Sequence, residues 1–180
     1  SEAERIDGWL SKIHVEGAGG SLGESYDLAM YFAARHTKMD CLEKRGKKGY
    51  FFMTGDEVPF THASVEKVRG LLGDPLEADI PIHELAAELQ RSFHAFFLIP
   101  DANRAGQFEC GPVWTKLFHE RCVVLDRPED TAVVAALLVG IQEGLLPDLR
   151  AIDAQLEGKL GKTGREKERL DWVWLVSDDA

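Results

Sequence analysis

The sequence predicts an α/β domain with a three-layer, mainly parallel open sheet and helices on both faces. Three observations carry that prediction. Short apolar runs at residues 50–53, 93–99 and 122–125 alternate with segments of helical periodicity. The run Tyr50-Phe51-Phe52-Met53 shows no polar side to water, so a strand there is expected to be covered on both faces, as parallel strands are. Each run is also followed closely by an aspartate: Asp56, Asp101 and Asp126. The strand ends of a parallel sheet share one edge, and ligands of open α/β sheets bind at that edge.

Residues 3–14 place Ile6, Trp9, Leu10 and Ile13 at helical spacing, which predicts a short amphipathic helix. A small-residue loop, 17–23, ends it. Residues 24–36 predict a helix whose apolar face is Leu28, Ala29, Tyr31 and Phe32. Residues 40–48 read as a charged turn before the strand at 50–53. Residues 64–72 predict a helix stopped at Gly73. Asp79 and Pro81 mark the next start, an acceptor followed by a proline in the first turn, and that helix runs to about Arg91. The strand at 93–99 leads into Pro100-Asp101, a polar loop over 102–110 and a short helix over 112–121. The strand at 122–125 ends in Asp126, and Pro128 opens a helix through Ala135, Leu138 and Ile141. A further helix is expected over 147–160, with Leu149, Ile152, Leu156 and Leu160 on one stripe. Residues 161–168 form a charged linker. The run Asp171-Trp172-Val173-Trp174-Leu175-Val176 is a fourth strand candidate, followed by Asp178 and Asp179. Residues 1–160 therefore read as one domain, and 161–180 as a linker plus a strand that completes the sheet.

Composition narrows the function. A chain of 180 residues suits one domain with a full core, and 44% apolar with 29% charged residues is ordinary globular usage. The net charge of −10 leaves no basic surplus for a phosphate backbone, which argues against nucleic acid as a partner. It suits a cation or a basic protein surface. No apolar run approaches the roughly 20 residues that a bilayer needs. No basic-then-apolar leader opens the chain, so a cytoplasmic protein is expected. The opening SEAERIDGWL reads like the middle of a domain, and the chain like a fragment.

Cys41, Cys110 and Cys122 are widely spaced with no CxxC pair, so reduced, buried thiols are expected. His119-x-x-Cys122 has a ligand-like spacing, but two ligands do not make a site. The six histidines form no i, i+4 pair, and His94 within a strand reads as a satisfied core residue. The tryptophans read as core or interface anchors, with Trp172 and Trp174 on one face of their strand. No G-x-S-x-G elbow is present.

The strand-end acids need separate readings. Asp126 before Arg127-Pro128 reads as a helix N-cap, and Asp101 as a loop acid. Asp56 lies between Thr54-Gly55 and Glu57 with no helix start directly after it, which makes it the candidate ligand. Clustered carboxylates repel one another unless a cation sits among them, and a hard divalent ion takes oxygen ligands. The loop Gly17-Ala18-Gly19-Gly20-Ser21-Leu22-Gly23-Glu24 is neither GxGxxG nor a phosphate loop. Its glycines would let the backbone approach an ion, with Ser21 offering a hydroxyl and Glu24 a carboxylate.

The order of amphipathic helix, GGS-x-x-E loop, alanine-containing helix, apolar strand and Gly55-Asp56-Glu57 resembles the von Willebrand factor A (vWA) domain. The likeness is to its intracellular type, which carries a GGGD-x-PE loop. It covers roughly Ile6 to Leu145, the later two-thirds of such a domain. The resemblance implies a divalent ion, usually magnesium, at the C-terminal edge of the sheet, the metal-ion-dependent adhesion site. In that family three segments hold it: a D-x-S-x-S motif, a Thr or Asp in a glycine-flanked loop, and an Asp after the fourth strand. Ser21 falls at the loop position and Asp56 at the last. The chain departs from the pattern in having no D-x-S-x-S motif and Ser21 in place of Thr or Asp. The family's first three strands are not visible ahead of the loop. The sheet is therefore expected to be incomplete or permuted; in the permuted case residues 171–176 form its central strand with Asp178 or Asp179 near the metal, and the plainer reading makes them an extra strand at the sheet edge.

The expected function is a non-enzymatic module that docks a protein partner at this edge, through magnesium or manganese or, with a degenerate site, without a metal. The alternative is a magnesium-dependent phosphohydrolase built on Asp56, Asp101 and Asp126. The sequence places neither a nucleophile nor a phosphate-facing base for it.

Overall fold

The computed structural model describes residues 2–13, 24–105 and 110–147. In chain order the elements are α1 (Glu2–Leu10), α2 (Tyr26–His36), α3 (Asp40–Arg45), β1 (Gly49–Thr54), β2 (His62–Ala63), α4 (Val65–Leu72) and β3 (Ile80–Pro81). They continue with α5 (Ile82–Ser92), β4 (Phe93–Ile99), α6 (Ala102–Ala105), α7 (Cys110–Phe118), β5 (Cys122–Val124) and α8 (Thr131–Gln142). Single 3-10 turns lie at His119–Arg121 and Pro128–Asp130.

The sheet is parallel, in the order β1–β4–β5. β4 lies at its centre because its sequence, FHAFFLI, can be buried on both faces. Phe93, Ala95, Phe97 and Ile99 enter one core with Met30, Leu85, Leu89, Trp114 and Phe118. Phe96 and Leu98 enter a second core with Val123, Val134 and Leu138. This alternation is the period-2 signature of a strand between two layers. It puts α2, α5 and α7 on one side of the sheet and α8 on the other, so the expected three-layer α/β arrangement is present. The register pairs Gly49 with Phe93 through Thr54 with Leu98, and Phe97 with Cys122 through Ile99 with Val124. All three strands thus end on one edge. A separate antiparallel ribbon pairs β2 with β3.

Several local expectations hold. β4 has the expected bounds. Ser64 caps α4 by accepting the Lys67 amide at 3.2 Å. Gly73 closes that helix at φ +78°, a left-handed conformation that favours glycine.

Others are corrected. Asp79 does not start α5: the chain pairs through β3 first, and Pro81 takes the cap position. Asp79 instead accepts the Val65 amide at 2.8 Å, at the start of α4. Helix α2 is rotated from the expected face, with Asp27, Met30, Tyr31 and Ala33 buried. Its docking against α5 and β2 sets that rotation, leaving Phe32 half exposed and stacked on His36 at 5.3 Å. The charged turn at 40–48 contains α3, and the loop after β4 begins with α6. Tyr50, Phe51 and Phe52 are only half-buried, because β1 is an edge strand among the described residues. The α1 stripe of Ile6, Trp9 and Ile13 is exposed. Ser21, the helix expected over 147–160 beyond Pro147, and the strand candidate at 171–176 lie outside the described residues. Among the described residues no helix is long and apolar enough to cross a membrane.

Candidate functional site

The turn after β1 is built from its backbone outward. The Gly55 amide donates to the Leu98 carbonyl at 3.2 Å, so the chain is still tied to β4 one residue past the strand. Gly55 must lack a Cβ because the Tyr26 hydroxyl occupies that space; an added Cβ would also lie 2.7 Å from Tyr26 Cζ. Tyr26 opens α2 and meets Phe97 and Trp114 edge-on, at centroid distances of 5.5 and 5.0 Å. Trp114 stacks flat on Phe97 at 3.6 Å. Its Nε1–H donates to the Glu57 carbonyl at 2.9 Å, and the Cys110 thiol points at the same oxygen from 3.7 Å. The Glu24 amide closes the corner on the Val58 carbonyl at 3.2 Å.

The two acids therefore ride on a turn fixed from three directions: by β4 at Gly55, by α7 at Glu57 and by the chain before α2 at Val58. Their side chains are half-buried. The surroundings are electronegative. Burial, then the charges of Glu24 and Asp56, push the Tyr26 phenol up to about 12, outweighing the Glu57 backbone contact that lowers it. Tyr26 thus stays a neutral phenol.

The other strand-end acids behave differently from expectation. Asp101 does more than sit in a loop: its Oδ1 accepts the Asn103 amide at 2.8 Å and the Asn103 side-chain amide at 3.0 Å, at the start of α6. Asp126 is exposed and is not the cap of the following turn. Arg127 takes that position and grips Asp130 with two bonds of 3.0 Å. Neighbouring strands lie about 4.8 Å apart, so strand-end acids on β1 and β5 are separated by roughly 10 Å of sheet, too far for ion–oxygen bonds of about 2.0–2.6 Å. Accordingly, among the described residues no three His, Cys, Asp or Glu side chains group to hold a metal. Asp56 suits a hard cation in kind, but the described residues do not supply a shell in number. Of the two expected ligands, Asp56 has a described position and Ser21 lies outside the described residues.

One buried group escaped the sequence reading, and another was misread. Asp27 is fully buried in the first turn of α2, and among the described residues neither carboxylate oxygen has a hydrogen-bond partner. Burial raises its pKa, opposed chiefly by Lys67, then by first-turn amides and His62. Its spacing from Met30 and Tyr31, three and four residues on, is the signal that would have placed it on the buried face. His94 is not the satisfied core histidine expected: its Nδ1 is buried without a partner among the described residues. Burial, then Arg121 and Lys48, hold its pKa below the ordinary value. The cysteines are unbridged, and burial pushes the Cys122 thiol up to about 11, which keeps it unreactive. No family model, curated protein or solved structure matches the chain.

Proposed function

We propose that the chain is a non-enzymatic protein-interaction module of the vWA type that docks a partner at the C-terminal edge of its sheet. The observation that carries this reading is the backbone-pinned turn at residues 54–57, which holds Asp56 at that edge. A rigidly held acid loses little freedom on binding, which favours recognition. Magnesium or manganese at Asp56 and Ser21 belongs to the same proposal. A hard cation takes about six oxygens, so these two residues would leave most of the shell to other donors, a partner carboxylate among them. A reducing compartment such as the cytoplasm suits the unbridged cysteines. The phosphohydrolase alternative has less support: it needs Asp56, Asp101 and Asp126 on one ion, and Asp101 is engaged with Asn103.

Calorimetric titration of magnesium and manganese into the wild type and Asp56→Ala tests the metal part. Binding in the micromolar range that is lost in the variant is the expected result. Binding that survives in Asp56→Ala would put the ion elsewhere. Turnover of a generic phosphate ester abolished by Asp56→Ala would overturn the non-enzymatic reading.

A further inference from the structure

The outer edge of β1 carries an inference about the sheet itself, independent of the docking reading. In a parallel ladder the N–H and C=O of one residue face the same neighbour, and those of the next residue face the other way. The Gly55 amide bonds to Leu98, so Gly55, Met53 and Phe51 face β4, and Tyr50, Phe52 and Thr54 face away from it. Among the described residues β1 pairs with β4 alone. Backbone groups beside half-buried aromatic side chains call for partners. The strand GYFFMT also has none of the charges or prolines that blunt a solvent-facing edge. Such an edge accepts an extended segment with large apolar side chains on both faces.

We propose that residues 171–176 of this chain, which lie outside the described residues, add as a parallel strand to the outer edge of β1. The segment DWVWLV matches β1 in length, at six residues. Its β-branched and aromatic composition suits a strand between two layers. A parallel addition needs a crossover of about a dozen residues or more. The 23 residues at 148–170 supply it, and at roughly 3.3 Å per residue they outreach a small domain. Parallel direction then carries Ser177 and Asp178 past the strand end onto the edge that holds Asp56. Being covalently attached, this segment has an advantage in effective concentration over a strand from another molecule.

Residue-resolved hydrogen exchange tests the proposal in the full chain, in a chain truncated after Leu170 and in the full-length variant Val173→Pro/Trp174→Pro. The amides of Tyr50, Phe52 and Thr54 should be protected in the full chain. In each variant they should lose about tenfold or more of that protection while Phe51 and Met53 keep theirs. Cross-strand nuclear Overhauser contacts should link residues 50–54 to 171–176. Loop-like exchange of the three amides in the full chain overturns the proposal, even if neither variant folds. So does protection that is equal in all three proteins, or cross-strand contacts from another segment or a second molecule.

Discussion

Gly55→Ala is the sharpest perturbation of the corner that carries Asp56. The added methyl would fall on the Tyr26 hydroxyl and lie 2.7 Å from Cζ and 3.0 Å from Cε1. Tyr26 cannot swing aside freely, because Phe97 and Trp114 hold it edge-on at 5.5 and 5.0 Å. Forcing a methyl into a packed site costs about 1–3 kcal/mol. If Tyr26 gives way, two aromatic pairs worth about 0.5–1.5 kcal/mol each are lost instead. Either route predicts destabilisation of about 2 kcal/mol, read as a lower urea midpoint with an unchanged slope. The same substitution in a Tyr26→Leu background, where the ring tip is gone, should cost less than about 0.5 kcal/mol, because the two residues act on one space. An equal cost in both backgrounds, or a negligible cost in the wild type, would refute the claim that Tyr26 sets this turn.

Trp114→Phe removes the donor to the Glu57 carbonyl and shrinks a fully buried ring, so it should cost about 2 kcal/mol or more in urea unfolding and speed exchange at residues 56–58. An effect on stability without faster exchange there would separate Trp114 from the turn. Asp27 has a folded pKa raised above 3.8, so its protonation contributes stability that is full below pH 3.8 and is lost as pH rises through the raised value. Asp27→Asn cannot ionise and should gain on the wild type as pH climbs toward neutrality; parallel stability profiles would contradict this. His94 has a folded pKa below 6.5, so the stability of its neutral ring is present above pH 6.5 and is lost as pH falls through the lowered value. His94→Phe should escape that acid-side loss, and an unchanged acid limb in thermal melts would show that the buried ring does not contribute.

The parts of the fold legible in the sequence were those decided locally or by burial on all sides. β4 was readable because FHAFFLI suits only a covered strand, and α4 because Ser64 and Gly73 mark its ends chemically. The inward face of α2 was legible only in part: Tyr31 lies on the expected face, but contact with α5 and β2 turns Asp27 and Met30 inward and Phe32 outward. Asp79 looked like the start of α5, yet serves α4 across the ribbon between β2 and β3, a pairing that periodicity does not encode. Asp56 could be singled out by its chemistry. What fixes it could not be, since Tyr26, Gly55 and Trp114 meet only after the chain has folded across almost 90 residues.

The most direct test of the proposed docking edge is residue-resolved manganese broadening of the full chain in solution. Manganese relaxes nearby nuclei and so reports where a hard cation sits. Amides of Gly55, Asp56 and Glu57 are predicted to broaden first among the described residues, with the effect absent in Asp56→Ala. Broadening that begins elsewhere, or none at concentrations that saturate ordinary carboxylate sites, would contradict the assignment of this corner as the cation-dependent docking edge.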